Sequence, residues 1–132
     1  MPIANYCLKT FASLALALCA LSAQAGSFED FDSQRLAELK ADGQPVLVEV
    51  YADWCSTCRA QSPILSELLA EPEFSELTGL KLDWDEQRDE ARGLGVARQS
   101  TLILFRDGEA LPPSIGETDR ERLRDFLRLA LN

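Results

Sequence analysis

The sequence contains no histidine, and its only methionine is the initiator. The missing histidine excludes metal sites that need an imidazole ligand, and it also excludes a cysteine–histidine catalytic pair. Without an internal methionine, the chain has no thioether ligand for copper. Basic residues are few, with 13 lysines and arginines against 22 acidic residues and a net charge of −9. This acidity argues against nucleic acids and anionic lipid surfaces as partners.

The N-terminal segment has the pattern of an export signal. Its apolar stretch, residues 11–21, follows a single basic residue, Lys9, and is too short to span a bilayer comfortably. The small residues Ala23 and Ala25 match a cleavage site, so residues 1–25 are predicted to be a signal peptide. The alternative is an uncleaved membrane anchor. The remaining residues, 26–132, are long enough for one domain with a modest core.

Cysteine is scarce as well. The chain has 4 cysteines, and the predicted cleavage would remove Cys7 and Cys19. The two that remain, Cys55 and Cys58, would close only a very small loop, so a disulfide between them would stabilise the fold little. In an exported protein, a working redox pair explains them better than a structural bridge or half of a metal site.

An apolar, β-branched run leads directly into this cysteine pair. Residues 46–51 are predicted to be a buried strand, and the residues after Cys58 can continue as a helix. Side chains three apart lie on one helix face, so Cys55 and Cys58 can form a disulfide. At the helix N-terminus, free N–H groups and the helix dipole would lower the pKa of Cys55 and favour its thiolate.

Residues 51–59 resemble the active-site segment of thioredoxin-like proteins. Their sequence is most similar to that of the thiol-transfer domains of bacterial extracytoplasmic reductases. A proline five residues after the second cysteine, Pro63, strengthens the resemblance. The resemblance implies that Cys55 attacks a partner disulfide and that Cys58 resolves the mixed disulfide. Further matching residues are Asp85, Phe105, Arg106, Asp107, Gly108 and Gly116.

The order of predicted elements is also that of a thioredoxin fold. Helical crossovers join the first strands, whereas Asp107 and Gly108 form a hairpin turn between the last two. This order predicts an α/β fold in which a central mixed sheet carries helices on both faces. The predicted helices are 33–41, from Cys58 to about residue 70, 86–94, and one that begins after Thr118 or Asp119. The predicted strands are 46–51, 80–84, 101–105 and 109–111, with a further pairing at 114–116 after two prolines.

Glu49 is a carboxylate in the middle of the apolar strand 46–51. Burial between two layers of helices would raise its pKa, whereas on a one-sided strand it would face solvent. The resemblance implies a buried acid that accepts the proton of Cys58. It also implies that Lys81 pairs with this acid, although Lys81 could equally be an ordinary exposed lysine.

Five further residues are expected beside the cysteine pair. Trp54 would offer an apolar contact to partner chains, or would simply pack. Ser56 and Thr57, between the cysteines, carry hydroxyls that could donate to a thiolate, and they leave the direction of electron flow open. Thr101 is expected to line the substrate groove together with Ser100.

Ser100 is the main departure from the family, which almost always has a cis-proline at this position. A cis bond before a non-proline residue costs about 2.5–4 kcal/mol, so a trans bond is predicted between Gln99 and Ser100. The change could alter substrate docking, or it could open the site to a metal or cluster bridged between two chains. A third reading is that Ser100 preserves the loop and the chemistry.

These observations predict an exported, monomeric thiol–disulfide oxidoreductase of the bacterial periplasm, acting on protein substrates without an organic cofactor or a metal. The resemblance favours reduction over oxidation, and a reductant would need electrons from a membrane donor. The alternative is a binding module that holds a metal or cluster with the Cys55 and Cys58 thiolates.

Overall fold

The computed structural model describes residues 25–132. The predicted signal peptide therefore lies outside the described residues except for Ala25, and so do Cys7 and Cys19. Within the described part of the chain, no helix is long and apolar enough to cross a membrane.

Short helices alternate with strands along the chain. The helices are α1 (Ser33–Ala41), α2 (Ser56–Leu69), α3 (Arg88–Gly93) and α4 (Arg120–Arg128), with a 3₁₀ turn at Pro72–Phe74. The strands are β1 (Phe28–Asp30), β2 (Val46–Tyr51), β3 (Thr78–Asp83), β4 (Thr101–Arg106), β5 (Glu109–Ala110) and β6 (Ser114–Ile115).

Six strands form one mixed sheet in the order β1-β3-β2-β4-β5, with β6 paired to β4. Strands β1, β3 and β2 are parallel, whereas β4 runs antiparallel to β2 and to the two short strands after it. The hairpin turn before β5 has φ of 51° at Asp107 and 80° at Gly108, as a two-residue turn of this kind requires. The predicted mixed sheet is confirmed.

The two faces of the sheet carry separate cores because successive strand side chains point to opposite faces. Val46, Val48 and Val50 of β2 pack with residues of α1 and α3, whereas Leu47 packs with residues of α2 and α4. Helices therefore cover both faces, as predicted. Glu49 has the same parity as Leu47 and so lies on the face that carries α2.

The segment before α1 contains a strand, and two later elements differ from the sequence prediction. Residues 28–32, whose acidic and aromatic sequence predicts an irregular segment or a very short strand, contain the three-residue strand β1, which pairs with β3. A Cβ on Gly79 of β3 would lie 2.6 Å from the Phe28 ring. Because glycine has no side chain, the Phe28 ring can pack against β3 at this position. Strand β3 begins two residues earlier than predicted, and α3 is shorter. Pairing with β1 and β2, which local sequence does not encode, sets the limits of β3.

Candidate active site

Cys55 lies at the point where β2 has ended and α2 begins. It is the N-cap of α2, and its Sγ accepts a hydrogen bond from the main-chain N–H of Cys58 at 3.1 Å. Cys55 is 6% exposed and Cys58 is 1% exposed, and both are free thiols. The outer cysteine is therefore the one that a partner can reach, and the inner one lies behind it.

The surroundings move the pKa values of the two thiols in opposite directions. Burial alone would raise the pKa of Cys55, but hydrogen bonds from the Cys58 thiol, the Ser100 hydroxyl and two main-chain N–H groups outweigh it and lower that pKa. Burial raises the pKa of Cys58, and the hydrogen bond that Cys58 gives to Cys55 raises it further. The site thus favours a thiolate on Cys55 and a neutral thiol on Cys58.

Ser100 places its hydroxyl between the two sulfurs. Its Oγ lies 3.1 Å from Cys55 Sγ and 3.1 Å from Cys58 Sγ. The residue is buried and has a φ of 61°, a left-handed conformation that is uncommon outside glycine. No cis peptide bond occurs in residues 25–132, so the predicted trans bond before Ser100 is confirmed.

Glu49 is 1% exposed on the face of β2 that carries α2. Its carboxylate accepts a hydrogen bond from the hydroxyl of Ser62 on that helix. Burial raises the pKa of Glu49, and the Ser62 hydrogen bond and the charge of Lys81 offset only part of that rise. Ser62 lies four residues after Cys58, so both side chains lie on one face of α2, and Glu49 contacts that face through Ser62.

Lys81 lies beside Glu49 on the neighbouring strand β3, in direct register. Among the residues that the structure describes, no salt bridge joins the two side chains. The Lys81 ammonium instead lies 3.9 Å from the centroid of the Tyr51 ring. Lys81 therefore acts on Glu49 through its charge at a distance, and its role remains a prediction.

Trp54 is 58% exposed and stands next to Cys55. Its Nε1 donates a hydrogen bond of 2.7 Å to Asp85 Oδ2. The indole is held at one end by Asp85 and leaves most of its surface exposed, so it does not fill the core. Its contact with a partner chain stays a prediction.

Three other residues predicted for the site, Thr101, Thr57 and Ser56, differ in where their polar groups lie. The Thr101 hydroxyl donates to the carbonyl oxygen of Arg98 at 2.7 Å, and Thr101 is buried. Thr57 lowers the pKa of Cys55 through a hydrogen bond from its main-chain N–H. The Ser56 side chain is exposed, and no hydrogen bond from it to either sulfur occurs in the described part of the chain.

Sequence analysis missed Ser62. Its spacing of four from Cys58 was visible in the sequence and could have pointed to the same helix face. The pairing of Ser62 with Glu49 depends on how α2 lies against β2, which the spacing alone does not define. Within residues 25–132, no group of three or more histidine, cysteine, aspartate or glutamate side chains is arranged to hold a metal.

Comparisons with known proteins agree with this geometry. A family model described as Thioredoxin matches residues 27–129. Thioredoxin of Pseudomonas aeruginosa is 38% identical over 89 residues, which are 67% of this chain and 81% of the relative. The crystal structure of Trxlp from Edwardsiella tarda has a TM-score of 0.74 and 42% identity, and the match covers 76% of this chain and 98% of that one. A mutant thioredoxin from Halobacterium salinarum has a TM-score of 0.72 and 27% identity, and the match covers 83% of this chain and 95% of that one. The family match includes every strand and, of the described residues, leaves out only residues 25, 26 and 130–132.

Proposed function

Since the chain belongs to the thioredoxin family of thiol–disulfide oxidoreductases, we propose that it reduces disulfides of protein substrates in the cell envelope. The observation that carries this proposal is the Cys55 thiol at the N-terminus of α2, where hydrogen bonds lower its pKa. A thiolate is the form of cysteine that attacks a disulfide. Its exposed neighbour Trp54 provides the contact surface for the substrate.

In the first step, the Cys55 thiolate attacks one sulfur of the substrate disulfide. The substrate S–S bond breaks, a mixed disulfide forms between Cys55 and the substrate, and the other substrate sulfur leaves as a thiolate. Because Ser100 and Thr101 are buried and their hydroxyls are already bonded, Trp54 makes the larger share of the substrate contact.

In the second step, Cys58 resolves the mixed disulfide. The Cys58 thiol gives up its proton and attacks Cys55 Sγ, so that the Cys55–Cys58 disulfide forms and the second substrate thiolate leaves. Glu49 is the proton acceptor in this proposal. It is buried on the same face as α2 and has a raised pKa, which brings its proton affinity closer to that of a thiol.

The location in the cell envelope rests on the N-terminal pattern. A reductant there would draw electrons from a membrane donor, since the oxidised pair must be reduced again after each cycle. The test is to express the full chain in a bacterium, fractionate the cells, and sequence the N-terminus of the product. A periplasmic product that begins at Gly26 supports export, whereas a cytoplasmic product with its original N-terminus contradicts it.

An anaerobic redox titration of Cys55 and Cys58 in the purified protein tests the direction of electron flow. A reversible two-electron couple near about −270 mV supports a reductant, and one near about −120 mV would indicate an oxidant. Metal that must be removed before the thiols react, or the absence of a reversible couple, would favour the metal- or cluster-binding alternative.

A further inference from the structure

The hydroxyl of Ser100 is the one side-chain group outside the cysteine pair that reaches both sulfurs within residues 25–132. A hydroxyl can donate one hydrogen bond and accept others at the same time. Between a Cys55 thiolate and a Cys58 thiol, it can therefore donate its proton to the first and accept the S–H of the second. Both distances, 3.1 Å, permit this arrangement.

The loop holds this hydroxyl in place through the main chain. The Ser100 N–H donates to the carbonyl oxygen of Val50 at 2.9 Å, and the Ser100 carbonyl oxygen accepts from the N–H of Gly116 at 2.9 Å. These contacts tie the residue to β2 and to the segment after β6. They also hold it in the left-handed conformation, which a residue other than glycine adopts only at a cost. The surrounding structure therefore determines where the hydroxyl points.

We propose that Ser100 is a catalytic residue of this chain, whose hydroxyl stabilises the Cys55 thiolate in the reduced state and thereby makes the pair a weaker reductant than it would otherwise be. The proposal rests on the proposed exchange reaction and adds a residue that sets its equilibrium. Substrate-groove contacts by Ser100 are not required for it.

The reason lies in the difference between the two redox states. In the reduced state Cys55 is a thiolate and Cys58 is a thiol, so oxidation removes two electrons and one proton and forms the Cys55–Cys58 bond. The two electrons break the partner's disulfide, and its two sulfurs are released as thiolates, one of which takes up the proton. The disulfide formed has no S–H to donate, and its sulfurs carry no charge. The hydroxyl therefore loses a charge-assisted hydrogen bond, so it stabilises the reduced form more than the oxidised form.

Other titratable groups lie near the pair, but none shares this position. Tyr51 packs against the cysteine cluster, and Glu49 lies toward Ser62 on the same helix face. Asp53 is exposed on the turn before Cys55, and Asp85 is bonded to Trp54. No hydrogen bond joins any of these four side chains to Cys55 in the described part of the chain.

The experiment compares the full chain with Ser100→Ala and Ser100→Gly. Alanine removes the hydroxyl and keeps the Cβ, whereas glycine removes the hydroxyl and adopts the left-handed conformation without strain. The rate of Cys55 alkylation by iodoacetamide is measured across pH, with mass spectrometry to assign the site. The equilibrium constant with glutathione is measured in parallel.

Both variants should lower the acid dissociation constant of Cys55 by about tenfold or more, the loss expected for one hydrogen bond to a charged group. The glutathione equilibrium should shift by a similar factor toward the oxidised protein. Ser66→Ala is the matched control, because it removes a hydroxyl from an exposed position of α2, the helix that carries Cys58. Its two constants should stay within twofold of wild type.

Two results would overturn the proposal. One is that both variants stay within twofold of wild type in the acid constant and the glutathione equilibrium. The other is that only Ser100→Gly changes them, which would assign the effect to the main-chain conformation. If wild type does not exchange electrons with glutathione at all, the proposed function fails, while the alkylation profiles still decide whether the Ser100 hydroxyl stabilises the thiolate.

Discussion

The Ser62 hydroxyl donates a hydrogen bond to the buried carboxylate of Glu49, across the contact between α2 and β2. Burial disfavours a charge on this carboxylate, while the hydrogen bond stabilises it, and burial has the larger effect. The contact orients the proposed proton acceptor on the helix face that also carries Cys58. Ser62 is thus a positioning residue for Glu49.

Ser62→Ala should raise the pKa of Glu49 further, because the bond that favours the charged carboxylate is lost. The measurement is a carbon-13 NMR titration of the Glu49 side-chain carboxyl. Ser66→Ala, which removes an exposed hydroxyl from the next turn of α2, serves as the control and should leave the titration unchanged. An unshifted pKa in Ser62→Ala would show that the hydroxyl does not stabilise the carboxylate in solution.

Glu49→Gln should stabilise the protein at pH 8 but have much less effect at pH 4. The pKa of Glu49 is higher in the folded than in the unfolded state, so its favourable contribution is present below the unfolded value and is lost as pH rises through the folded value. Because burial raises the pKa of Glu49, the variant should have a higher unfolding free energy than wild type at pH 8, and this difference should be much smaller at pH 4.

Urea unfolding of wild type and Glu49→Gln at the two pH values measures this difference. Glu109→Gln, which replaces an exposed carboxylate on β5, is the control. It should change the unfolding free energy little, and by a similar amount at both pH values. If Glu49→Gln changes the unfolding free energy equally at pH 4 and pH 8, ionisation of Glu49 does not destabilise the folded protein.

Glu49→Gln should also slow resolution of a mixed disulfide more than it slows the first attack. The amide cannot accept the proton of Cys58, whereas the Cys55 thiolate is already favoured by its own hydrogen bonds. Stopped-flow exchange with a disulfide-containing peptide separates the two phases, and a decrease of about tenfold or more in the second phase is expected. Equal second-phase rates in wild type and variant would remove Glu49 from the mechanism.

Cys58→Ser should trap mixed disulfides between Cys55 and its substrates, since the attacking thiolate remains and the resolving thiol is gone. Non-reducing electrophoresis after alkylation of a cell extract would reveal these adducts, and reductant should release them. Cys55→Ser is the control and should trap few or none. Adducts found with Cys55→Ser but not with Cys58→Ser would reverse the two roles.

Trp54→Ala should lower kcat/KM for a protein disulfide by about tenfold, while changing the free energy of unfolding by less than about 1 kcal/mol. The expectation follows because the indole is mostly exposed and adds little to the core, whereas aromatic side chains contribute strongly to binding. Leu129→Ala, another exposed apolar residue, is the control. Leu129 lies near Arg106, at the end of β4 away from Ser100, so its change should leave kcat/KM unaltered.

The elements with strong local patterns were predictable from the sequence. Strand β2 has the predicted limits, and Asp119, one of the two residues predicted to precede the last helix, accepts a main-chain N–H group at the start of α4. Asp32 caps α1 in the same way. Strand β1 could not be assigned from the sequence alone, because three residues carry little periodicity and this segment forms a strand by pairing with β3. The burial of Glu49 could be expected once helices were predicted on both faces of the sheet.

The sequence by itself determined the class of chemistry, since a buried strand followed by Cys55 and Cys58 at a helix start can be read from local order alone. It also determined the absence of proline at position 100 and, from the cost of a cis bond, the trans peptide there. Only the tertiary structure decided what the Ser100 side chain contacts. Ser100 is 42 residues from Cys58 in sequence, and its hydroxyl reaches both sulfurs because β2 and β4 pair side by side. Distances between residues so far apart in the chain depend on strand register and helix packing, which no local pattern encodes.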